Sequence, residues 1–216
     1  MNPRIKVCCI ASKEEAQMAI KAGADAIGLV GRMPSGPGPI EDDLINSIAR
    51  SVSPPIATFL LTCETDANKI AEHHYRTNTN TIQLVDAVAE GTYKKLREII
   101  PAIKIVQVIH VRNKSSIDEA VEISESVDAL LLDSGNPSLK IKELGGTGRV
   151  HDWELSKKIV QQSKVPVFLA GGLNPDNARE AYEKVLPFGL DLCSGIRTDG
   201  NLDQKKLDAF FNAVFR

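Results

Sequence analysis

Six residues with chemically useful side chains stand where short apolar runs end: Cys8, Gln83, His110, Asp133, Asp191 and Cys193. Cys8 and Asp133 make a thiol and a carboxyl, and across one pocket these can serve as a base and an acid. For Cys8 to take a proton, its pKa must fall from the free value of about 8.5; nearby Lys6 or a bound cationic imine would favour the thiolate. For Asp133 to give one, burial must raise its pKa. Each also has an ordinary structural explanation, since cysteine is often a small buried apolar side chain and an aspartate after a strand often caps a turn.

Glycines supply a second kind of chemistry. Ala170-Gly171-Gly172-Leu173-Asn174-Pro175 and Cys193-Ser194-Gly195-Ile196 are loops in which the backbone can approach an anion and following amides can bind it. Gly145-Gly146-Thr147-Gly148 adds further amides. The candidate phosphate contacts are therefore Gly146, Gly148, Gly171, Gly172, Ser194 and Gly195.

The elements that must carry these residues alternate regularly. Apolar runs at 5–10, 26–30, 56–61, 81–84, 103–109, 129–132, 167–169 and 190–193 read as strands, and each is followed by a stretch with helical spacing. About eight βα units predict one (β/α)8 TIM barrel over residues 1–216, with reactive groups at the carboxyl ends of the strands. A doubly wound sheet would usually place a glycine-rich loop after the first strand, whereas here the glycines cluster late. Ser12 with Glu14 and Glu15 forms a capping box, Gly23 suits a left-handed helix end, and Asn174 with Pro175 and Asp176 reads as another helix start. A closing helix over 203–211 presents Leu207, Phe210 and Phe211 to the barrel.

With 26 basic and 28 acidic residues interspersed over 216, the chain advertises neither nucleic-acid nor membrane binding. It opens without a signal-peptide pattern and has no apolar run long enough to span a bilayer, so a cytoplasmic protein is expected. The cysteines at 8, 9, 63 and 193 lack metal or disulfide spacing and read as reduced thiols. His110 can line the pocket mouth, whereas His73, His74 and His151 read as surface or loop residues. Oligomeric state, monomer or homodimer, is not encoded visibly.

The order of motifs resembles the phosphoribosylanthranilate isomerase family of tryptophan biosynthesis over nearly the whole chain. The matching pieces are Lys6-Val7-Cys8, Ala22-Gly23-Ala24-Asp25-Ala26-Ile27-Gly28, Ile82-Gln83-Leu84, Leu131-Leu132-Asp133, Gly145-Gly146-Thr147-Gly148 with Asp152-Trp153, the glycine loop from Ala170, and Leu190-Asp191-Leu192-Cys193-Ser194-Gly195. The resemblance implies an Amadori rearrangement of a phosphorylated small molecule without metal or organic cofactor. Asp133 would match the general acid at the ribose ring oxygen and Cys8 the base at carbon two. Gln83 and Asp191 would join the substrate site, and the phosphate would sit on amides around Gly146, Gly172 and Gly195.

Four positions depart from the pattern. The family's Ser-x-Arg segment, whose arginine meets the anthranilate carboxylate, falls near Gly38, leaving Arg32 to swing in from earlier in the loop or the substrate to differ. Asp86 stands in the segment after Gln83 where the family commonly has Gln-Leu-His-Gly. Cys9 replaces a glycine and Cys193 a serine, and closure of the barrel would bring Cys8 beside Cys193 as a redox-sensitive pair or as two inert thiols. The loop 31–39 has the length and position of a lid. Two alternatives stay open: a paralogue acting on another phosphorylated sugar amine, and a non-catalytic phosphate-binding barrel.

Overall fold

The computed structural model describes residues 2–139, 141–146 and 148–215. Its eight parallel strands are β1 (Arg4–Val7), β2 (Ala26–Val30), β3 (Ala57–Thr62), β4 (Thr81–Leu84), β5 (Lys104–His110), β6 (Ala129–Asp133), β7 (Val167–Leu169) and β8 (Gly189–Leu192). They pair in chain order and close through β1 and β8, where Val7 faces Leu192. Helices α1 (Lys13–Ala22), α2 (Asp42–Ser51), α3 (Ala67–Thr77), α4 (Thr92–Ile99), α5 (Ser115–Ile123), α6 (Trp153–Gln162), α7 (Ala178–Val185) and α8 (Gln204–Phe215) follow the strands in turn. This is the expected TIM barrel.

Strand parity divides the core in two. Ile5, Val7, Ile27, Leu29, Leu60, Leu130, Leu132, Leu190 and Leu192 pack outward beneath the helices. Ala26, Val30, Phe59, Leu61, Val106, Val108, Leu131 and Phe168 fill the barrel. Each fully buried aliphatic or aromatic side chain contributes roughly 1.5–3 kcal/mol relative to exposure. The same two-residue period that sends Leu131 inward sends Asp133 inward at the strand end, and Lys6 and Cys8 share the inward parity of β1.

Several boundaries differ from the sequence reading. β1 ends at Val7 rather than at residue 10 because Cys9 takes a left-handed backbone, φ 61°, and turns the chain. One further ladder bond, from Cys8 N to Leu192 O at 2.7 Å, keeps Cys8 on the barrel rim. β5 and β6 each run one residue further, to His110 and Asp133, and β8 stops before Cys193. A short hairpin, β9 (Arg197–Thr198) with β10 (Asn201–Leu202), precedes α8 and was not foreseen.

Ser12 caps α1 by accepting from Glu15 N at 3.2 Å, and Gly23 ends it at φ 111°. The reciprocal half of the capping box is not formed: the Glu15 carboxylate accepts from Ala11 N at 2.9 Å and Leu202 N at 2.8 Å instead. Asn174 accepts from the amides of Asp176 and Asn177, but regular helix begins only at Ala178, so Pro175 and Asp176 lie in a preceding turn. α8 reaches Phe215 and buries Leu207 and Phe210 completely. His73 and His74 are buried rather than on the surface; His73 joins Thr62 Oγ1 at 2.9 Å to Asp42 at 3.1 Å, and burial lowers the pKa of both rings. Among the described residues, no helix is long and apolar enough to cross a membrane.

Candidate active site

A cavity opens at the carboxyl ends of the strands. Cys8, Gln83, Asp133, Gly146, Gly148, Gly171, Gly172, Asp191, Cys193 and Ser194 all line it. Three candidates lie elsewhere. Gly195 packs behind the wall, where a Cβ would stand 2.0 Å from Leu173 O. His110 donates through Nε2 to Val85 O at 3.1 Å and faces a neighbouring groove bordered by Tyr93, Arg112 and Glu119. Arg32 is exposed and outside the lining. Thr147 lies outside the described residues.

The base side of the cavity is built on β1. Cys8 is 5% exposed, and its thiol and the Lys6 ammonium both crowd the backbone of Gly28, 2.8 and 3.0 Å from where a Cβ would stand. The adjoining Cys9 side chain lowers the Cys8 pKa most; burial opposes this and Lys6 reinforces it, leaving the net shift downward, while the Cys9 thiol donates to Pro37 O at 3.6 Å. Lys6 itself is fully buried and bonded to Asp191 Oδ1 at 2.8 Å. Burial alone would lower the Lys6 pKa, but Asp191 and Cys8 outweigh it, so the ammonium is held charged. Burial lifts the Asp191 carboxyl against the pull of Lys6. With a firmly held ammonium at hydrogen-bond distance, the pair is best described as ionised.

The acid side is built on β6. Asp133 is 6% exposed and accepts from Ser134 N at 2.8 Å. Burial raises its pKa, and the Ser134 amide, His110 and Lys6 only partly counter this. A depressed thiol and an elevated carboxyl on one cavity are suited to a base and an acid respectively. Gln83 adds an amide on the same floor, with an Oε1 that has no partner among the described residues.

The rim carries the glycine loops. Gly172 takes φ 65°, and a Cβ there would meet the Arg149 carbonyl carbon at 2.8 Å, so the turn after β7 lies tightly against the β6–α6 loop. The 31–39 loop crosses the mouth: Ser35 Oγ donates to Lys142 O at 2.5 Å, and Pro37 occupies the space a side chain at Gly146 would need. Gly38, at φ 83°, rests on Cys9, whose Cβ would lie 2.6 Å from any Cβ placed there. No arginine or lysine side chain lies among the described lining residues. Asp86 is outside the lining and ion-paired with Lys142.

Two features escaped the sequence reading. Cys193 lies against Cys9 rather than Cys8, with the sulfurs 2.8 Å apart. Arg197 braces the end of β1: its Nη2 donates to Cys8 O at 3.3 Å and Cys9 O at 2.5 Å, and its Nη1 meets Glu15 at 3.0 Å. The guanidinium thereby holds the left-handed turn that leaves Cys8 facing the cavity. Its position in Ser194-Gly195-Ile196-Arg197, directly after a candidate anion loop, is the one sequence signal that pointed to it.

The chain is similar to known proteins over nearly its whole length. A relative from Methanosarcina mazei, N-(5'-phosphoribosyl)anthranilate isomerase 2, is 39% identical over 96% of this chain and 92% of its own. The phosphoribosyl anthranilate isomerase structure from Thermotoga maritima superposes with TM-score 0.81 at 27% identity, covering 98% of each chain. A second solved isomerase, in complex with reduced 1-(o-carboxyphenylamino)-1-deoxyribulose 5-phosphate, has TM-score 0.79 at 25% identity over 98% of each chain. The family model described as N-(5'phosphoribosyl)anthranilate (PRA) isomerase matches residues 5–213, and the chain belongs to that family.

Proposed function

We propose that this protein is a cytoplasmic enzyme of tryptophan biosynthesis, a monomer or homodimer, that converts N-(5'-phosphoribosyl)anthranilate to 1-(o-carboxyphenylamino)-1-deoxyribulose 5-phosphate. Asp133 protonates the ribose ring oxygen as the C1–O bond breaks, and the nitrogen lone pair forms the C1=N bond of an iminium. The Cys8 thiolate then removes the C2 proton; the C–H electron pair becomes a C1=C2 bond and the C=N pair returns to nitrogen. Tautomerisation of the enol gives the C2 ketone. The phosphate rests on amides around Gly146, Gly148, Gly171, Gly172 and Ser194, with Gly195 behind them. Gln83 and Asp191 border the ribose.

The observation that carries this reading is the shared cavity of Cys8 and Asp133, one thiol with a lowered pKa and one carboxyl with a raised one. Purified protein should turn over the substrate, and Cys8→Ala and Asp133→Asn should each lower kcat by roughly 100- to 10,000-fold. Full activity in both variants refutes the mechanism.

A second reading keeps the acid and base but takes a phosphorylated sugar amine without the aromatic carboxylate. The absence of a cationic side chain among the described lining residues, with Arg32 turned outward, favours it. A desolvated carboxylate without a partner is costly. Product analogues with and without that carboxylate separate the readings by their relative inhibition constants.

A further inference from the structure

The acid–base reading uses only one of three thiols gathered at the β1–β8 seam. Cys9 Sγ and Cys193 Sγ lie 2.8 Å apart, closer than unbonded sulfurs normally rest, and a disulfide at about 2.05 Å needs them to approach by less than about 1 Å. The approach is built into the fold. Val7 and Leu192 are register partners on hydrogen-bonded strands, and the left-handed turn at Cys9 carries its side chain across to β8. Cys193 is half-buried on the cavity wall, within reach of a small oxidant, whereas Cys9 is 6% exposed behind it. Cys63 sits apart on the β3 end with its thiol on Arg32 O.

We propose that Cys9 and Cys193 are a redox modification site, oxidised by a small disulfide such as glutathione disulfide to an intramolecular disulfide that disables the Cys8 base; the last clause rests on the function proposed above. The Cys193 thiolate attacks one sulfur of glutathione disulfide, whose S–S bond breaks to release one glutathione. The Cys9 sulfur, its proton passing to solvent, attacks Cys193 of the mixed disulfide and expels the second glutathione. Two protein thiols lose two electrons and two protons, and one glutathione disulfide becomes two glutathiones. The link draws Cys9 Sγ toward β8 and away from Pro37 O, shifting the left-handed turn that sets Cys8 on the cavity rim, so the Cys8 sulfur no longer faces C2.

The test equilibrates the protein in glutathione redox buffers, maps tryptic peptides without reduction, and measures turnover before and after dithiothreitol. The expected result is a link between peptides 7–13 and 185–197 that also forms in Cys8→Ala, with turnover falling about tenfold or more and returning on reduction. In Cys193→Ser the link is absent and the ratio of oxidised to reduced turnover is one. Linkage lost in Cys8→Ala, linkage to Cys63, no linkage in oxidising buffer, or an unchanged oxidant response in Cys193→Ser overturns the proposal. If the reduced protein has no isomerase activity but the link forms and slows alkylation of Cys8 by iodoacetamide, the function reading fails and the modification site stands.

Discussion

Replacing Lys6 by Met tests the electrostatics on which the base depends. The ammonium is 0% exposed, its partner Asp191 is 8% exposed, and they meet at 2.8 Å. At an effective dielectric constant near 20, that separation corresponds to a gross attraction of about 6 kcal/mol. Desolvation consumes much of it, and removing one member of such a pair typically costs about 3–5 kcal/mol because the other charge stays buried. Against a typical domain stability of about 5–15 kcal/mol, Lys6→Met should therefore be folded but weakened. The penalty should shrink toward acid pH, since burial already lifts the Asp191 carboxyl and an orphaned Asp191 relieves itself by protonation. Lys6→Met with Asp191→Leu should regain most of the loss. Urea denaturation followed by circular dichroism at several pH values measures all three, and iodoacetamide alkylation against pH should show the Cys8 midpoint moving up in Lys6→Met. A cost below about 1 kcal/mol, a double variant no more stable than the single, or an unmoved Cys8 midpoint refutes the reasoning.

The pH profile of kcat/KM should be bell-shaped, its two limbs set by Cys8, lowered from the ordinary thiol range, and Asp133, raised from the ordinary carboxyl range. A single-limbed profile assigns one of the two roles elsewhere. His151, half-buried beside Gly171 and bonded through Nε2 to Ser156 Oγ at 2.7 Å, has its pKa lowered by burial from 6.5 to about 4. A depressed imidazole is neutral in the fold, so the stability it confers is complete above pH 6.5 and lost as pH falls toward 4, by up to about 3 kcal/mol. Calorimetric or urea titrations should show that portion of the acid slope missing from His151→Gln, and identical slopes in the two proteins contradict it.

The legible parts of the molecule are those set by short-range period. Apolar runs bounded by glycine and charge announced eight strands, and their carboxyl ends announced Cys8 and Asp133, because parity along a strand fixes which side chains look inward. What the sequence hid depends on single backbone torsions and distant contacts. Val7 opposite Leu192 puts Cys8 in line with Cys193, but one positive φ at Cys9 redirects the next thiol, so the sulfurs that meet are 9 and 193. Arg197 and Glu15 are 182 positions apart and join only when the barrel closes. His73 was misjudged because it follows polar neighbours, although Ile70 and Thr77, three and four positions away, share its buried face of α3.

The site sets one buried cation against two opposed requirements. Lys6 favours the anionic form of Cys8, as a base needs, and equally favours ionisation of Asp133, which an acid must resist. The two outcomes diverge because the local terms differ. Cys8 has the Cys9 side chain beside it, which lowers its pKa, while Asp133 lies in a desolvated strand end whose burial outweighs the Ser134 amide and the charges around it. Asp191, bonded directly to Lys6, limits how far that cation reaches toward either group. Opposite shifts in a thiol and a carboxyl around a common lysine thus follow from what adjoins each group and how deeply each is enclosed, and by drawing the two pKa values toward one another they let one cavity protonate an oxygen and deprotonate a carbon at the same pH.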